Sequence, residues 1–297
     1  MTQPASQPRG LFVGLTTYDI VQLVERLPLP NQKTVALDSL GAAGGPAANA
    51  AIAFARCGGA ASLSTALPTH ALSAVVLADL EAHGVAVLPT GTYEGQPITA
   101  SILVTRSTGE RAVVSPTRGA SDAAIEPPSA GMPSLDGMGV VLIDGYFGAL
   151  SLPTAIAARK RGIPVILDGG SFKPHTDAAI AAANVAIVSD DFDPPGTDGE
   201  PASVFDYLLT RGVTHAAITR GAAEILYITP STAGAVPVNP VAVVDTLGAG
   251  DFFHGAFAYR IAELSLDDSR FAADLSFSAH VAGESLSSFG TRAWLGR

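Results

Sequence analysis

The stretch Asp245-Thr246-Leu247-Gly248-Ala249-Gly250-Asp251 limits what this chain can fold into more than any other. It follows a β-branched apolar run at 241–244 and precedes Phe253, Phe257, Ile261 and Leu264, which share one helical face. The pattern predicts a strand, a tight glycine turn and a helix N-terminus. Small glycines let successive backbone N–H groups converge, and the helix end adds partial positive charge. The product is an anion pocket with Asp251 beside it. A carboxylate next to an anion hole is electrostatically odd unless it faces something else. A substrate hydroxyl aimed at a transferring phosphoryl group fits that need.

Apolar runs at 11–15, 61–66, 85–88, 140–143, 164–167, 185–188 and 216–221 read as strands. Helical patterns at 44–56, 70–83, 151–161, 177–183, 202–210 and 269–287 fall between or after them. Two short strands are expected at 225–228 and 235–238. Such alternation predicts an α/β fold whose mostly parallel sheet is joined by right-handed crossovers, with helices on both faces. A strand-like end at 33–40 and a hairpin, 98–105 with 111–115 about a turn at 106–110, break the rhythm. Together they predict a small separate sheet, a lid formed by segments 18–40 and 92–118. Residues 1–10 read as a disordered tail and 11–297 as one domain.

Ligands of open α/β sheets sit outside the strand carboxyl ends. Asp19, read as following the first strand, is therefore a candidate ligand residue, as are Asp144, Asp168 and Ser189-Asp190-Asp191. Gly44-Gly45-Pro46-Ala47-Ala48-Asn49 opens a helix: the diglycine permits close approach and Pro46 suits the first turn. Asn49 is a poor interior helix residue, so its amide binds either ligand hydroxyls or a packed neighbour.

A net charge of −10 with only 15% charged residues argues against a nucleic-acid or anionic-membrane partner, so any phosphate site must be local. The single cysteine, Cys57, excludes an intrachain disulfide, fits a reducing cytosol and reads as helix packing. No apolar stretch approaches the ~18 residues of a membrane span, and the N-terminus lacks a signal-peptide core, so a cytoplasmic protein is expected. There is no P-loop, no His-Glu-x-x-His and no Gly-x-Ser-x-Gly, and Phe253 stands where a dinucleotide fingerprint needs its third glycine. His254 reads as a packing or hydrogen-bonding residue.

On these residues the chain resembles the PfkB/ribokinase-like family of carbohydrate and nucleoside kinases. Residues 44–49 look like that family's N-terminal diglycine motif, and Asp245 to Asp251 look like its C-terminal motif. The resemblance implies a ribokinase-like three-layer α/β/α sandwich with a β-sheet lid, and ATP and Mg²⁺ as cofactors. It implies that Asp251 is the base and that Gly248, Ala249 and Gly250 hold the γ-phosphate. Asp19, Gly44, Gly45 and Asn49 would hold sugar hydroxyls. Thr219 and Gly221 would begin the nucleotide loop, where Glu224 replaces the usual last glycine, and Ala279 would line the adenine pocket. Ser189, Asp190 and Asp191 stand in place of the family's Asn-x-x-Glu, so their reach to Mg²⁺ would be through water. Asp245 resembles a position linked to a monovalent cation such as K⁺.

Ser189-Asp190, Asp144-Gly145 and the wording of the C-terminal motif look most like the ketohexokinase and sulfofructose-kinase branch. Tyr146 falls where some of those members place a substrate-contacting Arg, and a tyrosine suits a neutral sugar better. Lys33, on the lid, keeps an anionic substituent open. The resemblance thus implies an ATP-dependent kinase acting on a primary hydroxyl of a ketose such as fructose. A nucleoside kinase, a modified-hexose kinase and a catalytically silent sugar or nucleotide sensor are the alternatives. Exposed lid edges predict a homodimer paired through the lids. A carboxylate at a helix N-terminus is expected to stay ionised and to be a feeble base, leaving positioning as the larger contribution.

Overall fold

The structure, a computed structural model, describes residues 7–117, 125, 131–173 and 176–296. Strand β1 (Arg9–Val13) is built on Leu11, Phe12 and Val13, none of which reaches solvent. A strand covered on both faces needs an uninterrupted apolar run rather than alternation. The same composition makes β8 (Val140–Ile143), β9 (Val165–Gly169) and β10 (Val185–Ser189). With β4 (Ala60–Ala66), β5 (Val85–Gly91), β11 (His215–Arg220), β12 (Ala223–Ile228) and β13 (Ala233–Val236) they form one nine-stranded sheet. Its order is β13-β12-β11-β10-β9-β8-β1-β4-β5, parallel except for β12 and β13.

Helices cover both faces. α1 (Pro46–Arg56), α2 (Ala71–Ala82), α6 (Ala249–Leu264) and α7 (Phe271–Ser285) bury Ile52, Phe54, Leu80, Phe257 and Leu275 on one side. α3 (Gly148–Lys160), α4 (Thr176–Ala182) and α5 (Pro201–Leu209) bury Ala155, Ile180, Val204 and Leu208 on the other. The α1–α6 contact is the one that builds the site. α1 buries five alanines, and a Cβ at Gly255 would fall 2.1 Å from the Ala50 carbonyl oxygen. Only small residues allow that approach, which sets Asn49 of α1 against Asp251 of α6.

The second sheet, β3-β2-β6-β7, comprises β2 (Thr17–Val24), β3 (Asp38–Gly44), β6 (Thr99–Thr105) and β7 (Arg111–Val114). It is a small lid. Its inner face, Val21, Ala100, Ile102 and Val104, packs against Leu247 and Phe289 of the main body. The tip of its β6–β7 hairpin docks on the approach to α6: Thr246 donates to the Gly109 carbonyl through its N–H at 3.2 Å and its Oγ1 at 3.1 Å. Among the described residues no helix is long and apolar enough to cross a membrane.

Four expectations need correction. Residues 241–244 are not a strand; Val241, Val243 and Val244 stay about two-fifths exposed, Val241 walling a cavity with Ala242 while Val243 and Val244 lie beside Gly109 of the lid hairpin. Asp19 does not follow β1 but lies inside β2, since the chain leaves the main sheet after Val13 and enters the lid at Thr17. The strand expected at 33–40 is shifted to Asp38–Gly44, which makes Gly44 its last residue. Arg9 and Gly10 belong to β1 rather than to a tail, because they pair with Ala60, Ala61 and Val140; residues 1–6 lie outside the described residues.

Candidate active site

Two helix N-termini meet at the strand carboxyl ends, and neither has a side-chain cap. α6 starts from Gly248 at φ 76°, a left-handed geometry that glycine adopts without strain. Gly250 differs: a Cβ there would meet nothing within 4 Å, so its missing side chain keeps the face of the helix end clear. α1 starts from Gly45 at φ 98°, where a Cβ would collide with the Leu15 carbonyl, and a Cβ on Gly44 would overlap the Asp19 carboxylate. Gly45 is therefore required by the close approach of the 15–16 backbone, and Gly44 by the Asp19 carboxylate packed over it.

Asn49 Nδ2 donates to Asp251 Oδ2 at 2.9 Å, joining the two ends. Asp251 is partly exposed, and burial of its carboxyl pushes its pKa up to about 7, with the Asp168 charge acting in the same direction. The Asn49 bond, His254 and Arg111 pull the other way. The expectation of a carboxylate kept ionised is corrected: burial raises the pKa of this carboxyl rather than leaving it low.

Asp19 lies beside the diglycine, accepts from Thr17 Oγ1, and is pushed up to about 6 by burial. Asp144 is turned inward. Its carboxylate accepts from the N–H groups of Leu15 at 2.8 Å, Ala47 at 3.2 Å and Tyr146 at 2.9 Å, tying β1, α1 and the end of β8 together. Burial still pushes it up to about 6. Tyr146 is pushed up to about 12, by burial and then by Asp144, and Lys173 Nζ stands 4.8 Å from its ring centre. Lys33 lies exposed in the loop between β2 and β3. Asp168 Oδ2 has no hydrogen-bond partner among the described residues, with His254 Nδ1 3.4 Å away. His254 faces the carbonyls of Gly250 at 2.7 Å and Ile187 at 3.1 Å, so it is a hydrogen-bonding histidine that ties α6 to β10.

These carboxylates predict a pH dependence of stability. Each pKa is raised by folding, so the stability each lends is complete below about pH 4 and is lost as pH rises through the folded value. For Asp19 and Asp144 that value is about 6, and for Asp251 about 7. Asp136, Asp267 and Asp268 are lowered, so their contribution is constant above pH 5. The melting temperature should fall by a few degrees (roughly 2–8 °C) between pH 5 and pH 8 at constant ionic strength; a rise over that window would contradict the site's electrostatics.

Residues from 237–242, residues of α7 and Trp294 line a cavity of about 390 Å³. Val241, Ala242, Ala279 and Gly283 are among its walls. Ser189, Thr219 and Gly221 end β10 and β11 at the same sheet edge, with Thr219 Oγ1 donating to the Val188 carbonyl at 3.3 Å. Glu224 pairs with Arg220 at 3.4 Å and closes the turn that a glycine would otherwise shape.

The profile described as pfkB family carbohydrate kinase matches residues 9–295. The chain is a pfkB-family carbohydrate kinase. It is 23% identical over 286 residues to a bifunctional ribokinase/ribose-5-phosphate isomerase A of Fructilactobacillus sanfranciscensis, covering 91% of this chain. It spans about half, 51%, of that relative's length. A crystal structure of a candidate ribokinase from Agrobacterium tumefaciens superposes with a TM-score of 0.81 at 25% identity, over 98% of this chain and 100% of the other. The Arabidopsis thaliana ribokinase complexed with ribose and ATP has a TM-score of 0.68 at 21% identity, over 96% and 94% of the two chains.

In this pfkB kinase the structure sets Asn49 against Asp251 and Asp19 against Gly44, next to Gly45 at the start of α1, while Ala279 lines the cavity beside α7. It commits Asp144 to the backbone and leaves Lys33 in the solvent. Asp245 accepts from the N–H groups of Leu247 and Gly290, both at 2.8 Å, and burial raises its pKa. Among the described residues no three His, Cys, Asp or Glu side chains are grouped to hold a metal. Sequence reasoning missed Arg111 and Arg292. Arg111, on the lid, donates to Thr246 O at 3.2 Å and Oγ1 at 3.0 Å, and its position in the hairpin was the one available signal. Arg292 reaches Asn49 across 243 residues of sequence, and no local pattern announces it.

Proposed function

We propose that this kinase transfers the γ-phosphate of ATP to a primary hydroxyl of a sugar, with a ketose of the fructose type as acceptor. The observation that carries the reading is the Asn49–Asp251 bond, which places a carboxylate of raised pKa beside a helix end whose Gly250 face is empty. The acceptor hydroxyl hydrogen-bonds to Asp251 and gives it the proton. The hydroxyl oxygen bonds to the γ-phosphorus as the bond to the β-phosphate oxygen breaks, and ADP leaves. The N–H groups of residues 248–250 face the charge on the transferring group. Asp19 and Asn49 hold neighbouring hydroxyls, and the cavity beside Val241 and Ala279 takes the adenine.

A hard ion such as Mg²⁺ is commonly held by one or two carboxylates with substrate phosphates and water. Asp190 and Asp191, both with solvent access at the end of β10, suit that arrangement, and the ion supplies charge neutralisation between the β- and γ-phosphates. A K⁺ ion near Asp245 would share the carboxylate with two N–H donors. The ketose reading rests on the wording of the motifs at 144–145, 189–190 and 245–251, whereas the relatives described above carry ribokinase names. Val113 and Val114, 50% and 74% exposed, support pairing of two lids in a homodimer.

The test measures ATP consumption with D-fructose, D-ribose, a sulfonated ketose and a purine nucleoside, with sedimentation of the same sample. D-Fructose should give the highest kcat/KM. Faster turnover of ribose or nucleoside would sink the ketose assignment, and ligand-induced melting shifts without any turnover would favour the sensor reading.

A further inference from the structure

Arg292 follows a tightly held loop. The Gly290 N–H is bonded to Asp245, and Thr291 packs against Gly248 at the start of α6. The Arg292 side chain is only 13% exposed. Its Nη2 and Nε donate to Asp79 Oδ2 at 2.8 and 3.1 Å, and Nη2 also donates to the Ala43 carbonyl. Asp79 in turn accepts from the Ala43 N–H at 2.9 Å. Thus α2, the end of β3 and the 290–292 loop are locked to one cation. The remaining nitrogen, Nη1, donates to the Thr291 carbonyl at 3.2 Å and to Asn49 Oδ1 at 3.4 Å.

That last contact bears on the catalytic carboxylate. An asparagine amide has nearly the same shape when rotated by half a turn, so its orientation is set by its partners. With Oδ1 toward Arg292, Nδ2 faces Asp251. In the rotated form Nδ2 would meet a guanidinium and Oδ1 a carboxylate, a donor against donors and an acceptor against an acceptor. Arg292 makes the rotated form costly from its side, and Asp251 does so from the other.

We propose that Arg292 is a positioning residue for phosphoryl transfer: it holds the Asn49 amide in the orientation that donates to Asp251. The inference rests on the reading of Asp251 as the base. Arg292 does not touch the reacting atoms. It acts through Asn49, fixing the carboxylate rotamer in which Oδ2 is occupied and Oδ1 is left for the acceptor hydroxyl. Asp79 keeps its charge compensated, so the cation adds order to the site without attracting an anionic ligand of its own.

The test is a double-mutant cycle with D-fructose and with D-ribose, using Arg292→Met, Arg292→Lys and Asn49→Ala. Arg292→Met should lower kcat by about tenfold or more and leave the KM for ATP unchanged, with part of the loss restored in Arg292→Lys. In the Asn49→Ala background the same change should cost almost nothing. An equal loss in both backgrounds would overturn the proposal, because a merely structural arginine acts without Asn49. Nuclear magnetic resonance of the Asn49 side-chain amide gives a reading that needs no turnover. In the parent the amide shifts follow the Asp251 titration; in Arg292→Met they should cease to follow it, and unchanged tracking counts against the proposal. Failure of the base reading would be seen separately, as turnover surviving in Asp251→Asn. Should Arg292→Met fail to fold, Arg292→Lys, which keeps a cation for Asp79 and only part of the hold on Asn49, takes its place: its partial loss of kcat should vanish in the Asn49→Ala background, and an equal loss in both would overturn the proposal.

Discussion

Asp251→Asn should bind ATP and sugar as the parent does and lose phosphoryl transfer by about 10²–10⁴-fold, the usual contribution of a positioned general base. The substitution keeps the shape of the side chain and an oxygen that can accept from Asn49 Nδ2, so the α1–α6 junction survives. It removes the group that takes the acceptor proton. In the parent, kcat/KM should rise with pH and level off above about 7, the folded value of the carboxyl. The variant should lack that limb. Its stability should change in the opposite sense. The raised pKa means the parent loses stability as pH rises through about 7, so the asparagine variant should melt higher at pH 8 and match the parent below about pH 4. Stopped-flow ADP release and thermal melts on the same preparations check both halves; near-normal turnover would remove Asp251 from its role.

The second large effect is expected at Gly250, where stability and activity should separate. Gly250 lies in the first turn of α6 at an ordinary helical φ, and a Cβ there meets nothing within 4 Å. Alanine is favoured over glycine in a helix by roughly 0.5–1 kcal/mol. Gly250→Ala should therefore melt slightly higher than the parent. In the proposed function the same methyl occupies the space assigned to the transferring phosphate against the helix N–H groups. Loss of one such anion-hole contact costs about 10²–10³-fold in kcat. Gly248→Ala is the contrast: at φ 76° and with the Phe252 ring 3.1 Å from the new carbon, it should lose stability as well. Calorimetry together with kcat on both variants distinguishes a ligand cradle from a structural turn. If Gly250→Ala turns over normally, the phosphate is not held at this helix end.

Much of this arrangement was legible in the residues, and the parts that were not have physical reasons. The buried strands declared themselves because a strand covered on both faces must be continuously apolar, as at Val140–Ile143. The 241–244 run carries the same signal, yet Val241 walls a cavity and Val243 and Val244 lie beside Gly109 of the lid; composition reports that a segment meets apolar surroundings, not whether those are a sheet, a cavity or a lid. Asp144 and Asp251 look alike from the sequence, each a carboxylate near a strand or helix end. One is consumed by three backbone N–H groups and the other is left with an oxygen to use. That difference depends on where distant N–H groups arrive. Asn49 stood out because asparagine is costly inside a helix. Arg292 did not, because an arginine after Gly290-Thr291 has no local reason to be anything but solvated.

The spread of the site along the chain has a consequence for biosynthesis. Asp19, Asn49, Asp144, Asp251 and Arg292 emerge in that order as the chain is made, at roughly 5–20 residues per second. The sugar side of the cleft comes from residues made early, and the base with its brace comes from residues made late. Because α1 packs on α6 through Ala50 and Gly255, the early residues have no partner to be held against until the helix at 249–264 has emerged. The cleft is therefore assembled only at the end of synthesis, and a chain that stops short of α6 should leave the apolar face of α1 uncovered.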